Sequence, residues 1–434
     1  LALKQTEEVN SILSATRKFY NKSGMLFLAL TLVLIGVYPF FISGQLENSL
    51  VRWMILVLAG STLVDYFFLG KYRVLLTANQ EGYVVALIQA AGTIVNMVVS
   101  IFLIYIGAGV LFVKAVATGV YMLRLVLVKI YVKRKYPALD FYAEPNEGAL
   151  KQKNAALLHQ VVGIIVNNTD TTVLTICLGA KSLLEVSVYG IYMMVVNAVN
   201  QLMTSFSNGL TAGFGEVIAK NEEETLKKSY SSYEYMYFVI MFIVIACMGV
   251  LILPFVGVYT INLTDVQYVR PVLGILFTLI VFMQNVRIPG LTIICAAGHY
   301  KETRYQAILE AVINITVSLG LVWKFGMAGV LLGTVCSYGY RSFEIVFYTS
   351  RHLVKGCAKK SMFRILRNVF TVAILCTVGT YVIPQEITSF TTWFLYAIGM
   401  GLTSVFFVVV INYVVEPDEF MQLRHRVNDI IKKE

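Results

Sequence analysis

Twelve apolar stretches, each long enough to cross a bilayer as a helix and separated by short polar connections, leave this chain few architectures. They lie near 25–45, 52–70, 83–106, 109–132, 155–179, 186–218, 235–259, 270–298, 303–325, 327–350, 365–384 and 392–415. A backbone crossing about 30 Å of hydrocarbon must satisfy its own amides, which a helix does with about 20 residues. Charged residues make up 14% and apolar residues 58%, far from the roughly 25% charged of a soluble domain. The expected fold class is all-α, a polytopic membrane bundle with about twelve transmembrane helices. The fourth stretch carries both Lys114 and Arg124. Residues 1–24 are mixed and polar and do not read as a cleavable signal.

The second half repeats the first. Lys4, Glu7 and Glu8 recur as Lys220, Glu223 and Glu224, and Pro39 and Pro254 follow at matching depth. Ile94–Ser100 reads like Val312–Ser318, and Gly109-Val110-Leu111 like Gly329-Val330-Leu331, the offset drifting only from 216 to 220. The runs 155–179 and 186–218 have no counterpart upstream of Lys4, so two helices, roughly 70 residues by analogy, are expected to precede residue 1. The expected organisation is an incomplete N-terminal lobe of four helices (1–135), a complete six-helix lobe (150–353), and two additional helices with a tail (354–434).

Basic residues give an orientation. The N-terminal stretch, alternate loops and the C-terminal tail hold 27 Lys and Arg against 4 in the intervening loops. Positive charge is retained on the cytoplasmic side, which places both ends there. The formal charge of +10 is then a topology signal and not a nucleic-acid-binding surface. The excess at 129–135 and 351–367 sets orientation or touches anionic lipid. Six scattered cysteines without CxxC pairs indicate neither a disulfide framework nor a zinc site.

Outward loops of about a dozen residues at most cannot hold a soluble catalytic domain. No phosphate loop, His-Glu-x-x-His or Gly-x-Ser-x-Gly occurs. The reading is a transporter and not an enzyme, with no catalytic residues, no cofactor and no metal.

Chemistry is therefore sought inside the helices. Polar stripes recur at helical spacing: Gln89, Thr93, Asn96, Ser100; Gln306, Glu310, Asn314, Ser318; His159, Gly163, Asn167, Asp170; Asn197, Asn200, Thr204, Asn208, Thr211; and Thr334, Tyr338, Arg341, Tyr348. Lipid cannot solvate them, so they glue helices together or line a wet cavity. Once the 31 Lys and Arg assigned to loops and termini are set aside, four bases remain inside the stretches: Lys114, Arg124, Arg287 and Arg341, with Asp65, Asp170, Glu310 and Glu344 as candidate partners. Arg287 has no acid at helical spacing and precedes Pro289-Gly290, which ranks it first as a substrate contact. Arg341 lies three residues before Glu344, an ion pair or a site. Arg124 is within reach of Asp65, and Lys114 snorkels or binds. Asp170 is expected to pair with an Arg, to carry a proton, or to bind sodium with Asn167 and Thr171. Substrate binding is assigned to Arg287, Arg341, Arg124, Lys114, Asn197, Asn200 and Thr204, and ion coupling to Asp170, Asn167 and Glu310. His159 reads as a core histidine or a relay member.

These residues resemble the Wzx-type polysaccharide flippases of the multidrug/oligosaccharidyl-lipid/polysaccharide exporter superfamily. The resemblance runs over the whole chain. It rests on the basic amphipathic segment Lys4–Tyr20, on Asn167-Asn168-Thr169-Asp170 followed by Leu178-Gly179 and Val188-Tyr189-Gly190-Ile191-Tyr192, and on Ala296-Ala297-Gly298-His299-Tyr300 before the helix with Asn314. It implies fourteen helices in two MATE/MurJ-like six-helix lobes plus two more, in the bacterial cytoplasmic membrane. It implies a carrier, monomeric by default, that moves a polyprenyl-diphosphate-linked oligosaccharide by alternating access for O-antigen, capsule, exopolysaccharide or teichoic-type polymers. The membrane-embedded bases suit a diphosphate, and amide and hydroxyl faces suit sugars. The alternatives are a sodium- or proton-coupled multidrug antiporter of the same superfamily, a lipid II flippase and, from another class, a membrane glycan polymerase.

Overall fold

The computed structural model describes residues 6–41, 47–146, 153–178, 182–207, 210–384 and 386–422. Among them all regular structure is helical. Among the described residues each of the twelve apolar stretches is helical over most of its length, and ten spans are long and apolar enough to cross a bilayer. The other two are interrupted by polar groups, Asn167, Asn168 and Asp170 in one and Arg341 and Glu344 in the other. The chain is a multi-pass membrane protein of the expected all-α class.

Two compact units divide it, Leu1–Lys153 and Asn154–Glu434. The first contains α1 (Thr6–Phe41), α2 (Asn48–Val64), a π-helical turn (Asp65–Leu69), α3 (Gly70–Ala78), α4 (Gly82–Tyr105) and α5 (Val110–Lys135). Here α1 packs on α2, α2 on α5, and α4 on α5. Its core gathers Leu13, Leu69, Leu76, Val128 and Val132.

The second unit runs α6 (Lys153–Cys177), α7 (Ser182–Ser207), α8 (Leu210–Ala219), α9 (Glu223–Tyr259), α10 (Pro271–Val286), α11 (Ile288–Ala296), α12 (Arg304–Phe325), α13 (Met327–His352), α14 (Ala358–Val382) and α15 (Phe390–Val415). The repeat is visible in its shapes. α9 has 37 residues where α1 has 36; at 1.5 Å per residue each measures about 55 Å, well beyond the hydrocarbon. The pairings α9 with α10, α10 with α13 and α12 with α13 repeat those of the first unit. Even the breaks correspond. The π-turn at Asp65–Leu69 matches the interruption at Arg287, where Pro289 removes an amide donor from the next helix.

α12 and α13 approach most closely, and three glycines explain it. Gly326, at φ +57°, turns the chain in one residue. A Cβ on Gly329 would stand 2.3 Å from the Leu321 carbonyl oxygen, and one on Gly333 would stand 2.2 Å from Ser318 Oγ. This small-x-x-x-small spacing lets two backbones touch where lipid gives no hydrophobic drive.

α14 and α15 pack on α9. Helix α14 begins at Ala358, so Arg364 and Arg367, expected in a cytoplasmic loop, are helical. Arg364 is 1% exposed and pairs with Glu234 at 3.0 Å and Glu416 at 2.8 Å, while Arg367 pairs with Glu416 at 2.8 Å. A cation so deeply buried demands such partners. Burial would raise the Glu416 carboxyl, but the Arg364 and Arg367 guanidinium groups outweigh it and hold it below the usual carboxylate range.

A polar cavity as candidate functional site

Most polar side chains of α6 are consumed by their own helix. Asn168 donates to the Ile164 carbonyl, Thr169 to Ile165, and Thr171 and Thr172 to Asn168. These local bonds satisfy the groups without a partner helix. Asn167 and Asp170, three residues apart, remain to face outward from α6. Tyr338 of α13 donates to Asn167 Oδ1 at 2.9 Å. Thr334 of the same helix bonds the Asp170 carboxylate, 2.8 Å from Oδ1 and 3.0 Å from Oδ2, and Tyr189 donates to Oδ2 at 3.3 Å.

Asp170 is 3% exposed. Among the described residues no cation stands within ion-pair distance of it, so the expected arginine partner is not there. Thr171 lines the same cavity, but its hydroxyl donates to the Asn168 carbonyl, and it is Thr334 that bonds the carboxylate. Asn314 of α12 donates to Thr334 Oγ1 at 3.0 Å, while its own Oδ1 is buried without a partner.

Asn167 and Asp170 share a cavity of about 600 Å³ with Asn197, Asn200, Gln201 and Thr204 of α7 and Gln284 of α10. Asn200 donates to Gln284 Oε1 at 2.9 Å and accepts from Asn285 at 2.9 Å, while Tyr237 donates to Asn285 at 2.8 Å. Asn200 therefore stitches α7 to α10. Thr204 donates to the Asn200 carbonyl at 2.7 Å. Among the described residues Asn197 makes no hydrogen bond and stays exposed. The wall is rich in neutral amides and hydroxyls, with Asp170 its one acid among the described residues.

Arg287 and Arg341 are not on that wall. Arg287 packs behind Tyr338, its guanidinium carbon 4.5 Å from the ring centre, and forms an ion pair with Glu310 of α12. Arg341 is 3% exposed and lies 3.6 Å from Glu310, with Glu344 bonded closely to its Nη1. Two arginines and two glutamates make a neutral cluster. Glu310 is thus spoken for by two guanidinium groups.

Lys114 and Arg124 belong to the first unit, on α5. Lys114 is exposed. Arg124 donates to Thr93 at 3.2 Å and lies over Tyr121, whereas Asp65 pairs with Arg73 at 3.0 Å. The expected Arg124–Asp65 pair is corrected on this point: α3 runs on to Ala78 and places Arg73 eight residues from Asp65 on a continuous helical path. The side chains of His159 and Asn208 lie outside the described residues.

Tyr189, Gln201 and Gln284 complete the wall and were not singled out from the sequence. Tyr189 stood in the Val188–Tyr192 stretch, and the Gln284-Asn285 pair inside an apolar run was a signal of the same kind as Asn197. Among the described residues no group of three His, Cys, Asp or Glu is placed to hold a metal.

Solved structures share this architecture. The chain is similar to the eukaryotic MATE transporter AtDTX14, with a TM-score of 0.60 and 14% identity over 83% of this chain and 82% of that one. It is similar to the lipid II flippase MurJ in an inward closed conformation, with a TM-score of 0.61 and 14% identity over 95% and 86%. The Vibrio cholerae MATE transporter VcmN in the bent form gives 0.56 and 11% over 85% and 81%. No family model and no curated protein sequence matches the chain. At such identities the likeness establishes a shared fold.

Proposed function

We propose that this chain is a transporter of the multidrug/oligosaccharidyl-lipid/polysaccharide superfamily, of the Wzx type, in the bacterial cytoplasmic membrane. Its cargo is a polyprenyl-diphosphate-linked oligosaccharide, moved by alternating access for surface polysaccharide assembly. One observation carries the reading: the 600 Å³ cavity of the second unit is walled by amides and hydroxyls, with a single carboxylate. Asn and Gln offer a donor and an acceptor side by side, the pairing that sugar hydroxyls require. A cationic drug would gain little from Asn197, Gln201 and Thr204.

The diphosphate is left to other bases. Arg287 and Arg341 are neutralised by Glu310 and Glu344, while Lys114 and Arg124 have no acidic partner among the described residues. Asp170 is the coupling group of this reading. Its carboxylate and the Thr334 hydroxyl, with the Asn167 amide on the same cavity wall, would offer oxygens to sodium, and Asp170 alone would serve for a proton. Glu310, held by two arginines, is a positioning residue.

Transport of a fluorescent lipid-linked oligosaccharide into vesicles tests the proposal. Asn197→Leu/Thr204→Val protein, shown to be inserted normally, should move cargo at least about tenfold more slowly, since two polar contacts are lost at ~1 kcal/mol each. Transport at the wild-type rate would remove the reading. The multidrug antiporter remains a second reading on one observation, the uncompensated Asp170. Ethidium efflux that needs Asp170 and ignores Asn197 would favour it.

A further inference from the structure

The first unit holds a second, chemically opposite cavity. It measures about 850 Å³ and lies among the ends of α1, α3 and α5 and the segment that follows α5. Arg17, Lys71, Lys129 and Lys133 converge on it, with Asp140 the one acid among the described residues. That aspartate already accepts from the Tyr142 amide at 2.8 Å. The charges acting most on Lys71 are Arg17 and Lys129, both of its own sign. Among the described residues none of the four cations has a carboxylate within ion-pair distance.

The cavity is built, and is more than a charged surface. The segment after α5 is tied back to α1, the Asp140 amide donating to Asn10 Oδ1 at 3.0 Å and the Asn146 amide to the Ser11 carbonyl at 3.3 Å. This brings Tyr142 under the Arg17 guanidinium, 3.8 Å from ring centre to carbon, and Phe141 against Tyr72 at 5.2 Å. Arg17 Nε and Nη1 are shut off from solvent without an acceptor. Cations that only fixed orientation would have no need to converge, and an unsatisfied buried guanidinium costs stability unless something binds it.

The remaining lining is apolar. Phe67, Phe68 and Leu125 continue the cavity along membrane-spanning helices, and Phe68 is 52% exposed. A free anion would leave that half empty. We infer that the basic cavity of the first unit, formed by Arg17, Lys71, Lys129 and Lys133, binds a lipid-borne phosphate, its oxygens on the cations and its chain along Phe67 and Phe68. The inference does not depend on what the second unit carries.

Titration of the purified full chain with short-chain lipids in detergent, read as thermal unfolding, decides it. Dioctanoyl phosphatidylglycerol should raise the midpoint saturably, and dioctanoyl phosphatidylcholine should not. Lys71→Gln/Lys129→Gln, which removes two charge-assisted contacts, should raise the half-saturating concentration at least about tenfold. Arg134→Gln, outside the cavity, should leave it within about twofold. If the double variant does not fold, Lys129→Gln alone, at an exposed position, should still weaken binding severalfold. Geranylgeranyl diphosphate, run in parallel, separates a polyprenyl carrier from a diacyl lipid as the source of the phosphate. Equal shifts from phosphatidylcholine, saturation by inorganic pyrophosphate alone, or an equal loss in Arg134→Gln would each overturn the inference.

Discussion

The helix pairs α4–α5 and α12–α13 occupy the same place in the repeat and treat the same polar stripe in opposite ways. In the second unit Glu310, Asn314 and Ser318 are buried against α13, the last two completely. In the first, Gln89 and Thr93 are exposed and Asn96 and Ser100 are half-buried. Closeness makes the difference. One residue, Gly326, joins α12 to α13, and Gly329 and Gly333 let the backbones meet; Ile106–Gly109 joins α4 to α5, and Val113 stands in the register of Gly333. Arg124 meets Thr93 across the first pair and Arg341 meets Glu310 across the second, at positions that are not in register, so one unit meets an arginine with a hydroxyl and the other with a carboxylate. A polar stripe is therefore not a function in itself; the distance to the next helix decides whether it closes into a core or stays open.

The largest break in this comparison should come from Arg341→Ala. It strands Glu344 and half of the charge on Glu310 in a buried site, a loss of about 3–5 kcal/mol. Arg124→Ala, in the other helix pair and beside a neutral Thr93, should cost less than about 1 kcal/mol. Unfolding midpoints in detergent measure both, and equal losses would show that the pairing with Glu310 is not what distinguishes the units.

Gly333→Ala comes next. Its Cβ would sit 2.2 Å from Ser318 Oγ and 2.7 Å from the Ser318 amide nitrogen, and overpacking of this kind costs about 1–3 kcal/mol. Gly119→Ala on α5 has open space around it and should be neutral or stabilising by up to about 1 kcal/mol. A tolerant Gly333 would mean that the two helices are not held by their contact.

The smallest effects concern how each unit anchors a connection. Glu81 accepts from Tyr136 at 2.6 Å and Tyr131 at 3.1 Å and pairs with Lys135 at 3.0 Å. Glu416 instead meets two guanidinium groups. Burial raises both carboxyls, but in each case the bonds outweigh it and the net direction is down from the ordinary 4.5. The stability that each contributes is therefore complete above that value and is lost as pH falls through the lowered native value. Stability should be insensitive to these groups between about pH 5.5 and 8 and should fall in acid. Glu416→Gln should destabilise at pH 7 and flatten the acid limb, and Glu81→Gln should do so less. A larger effect at Glu81 would reverse the ranking of guanidinium over phenol partners.

Much of this was legible in the residues. The twelve runs, the repeat and the separate polar stripes through Asn167 and Asp170 and through Asn197, Asn200 and Thr204 follow from hydropathy and from 3.6-residue spacing, which are local; their meeting on one cavity does not. Helix starts were less so: α1 and α9 begin at Thr6 and Glu223, well before the apolar stretches that start near 25 and 235, because helices here project beyond the hydrocarbon. Partners were least legible. Arg287 finds Glu310 and Arg364 finds Glu234, 23 and 130 residues apart, through helix rotations that no periodicity within a single helix contains. Arg73 displaces Arg124 at Asp65 for the plainer reason that its helix ran further than its apolar stretch.

The single-residue turn at Gly326 also bears on biogenesis. α13 carries Arg341 and Glu344 and is not among the ten spans apolar enough to partition by themselves; a lone charged helix in lipid costs at least ~2.5 kcal/mol per charge. With no slack between them, α12 and α13 must enter the membrane as one hairpin, so that Glu310 neutralises Arg341 before lipid is ever asked to solvate it.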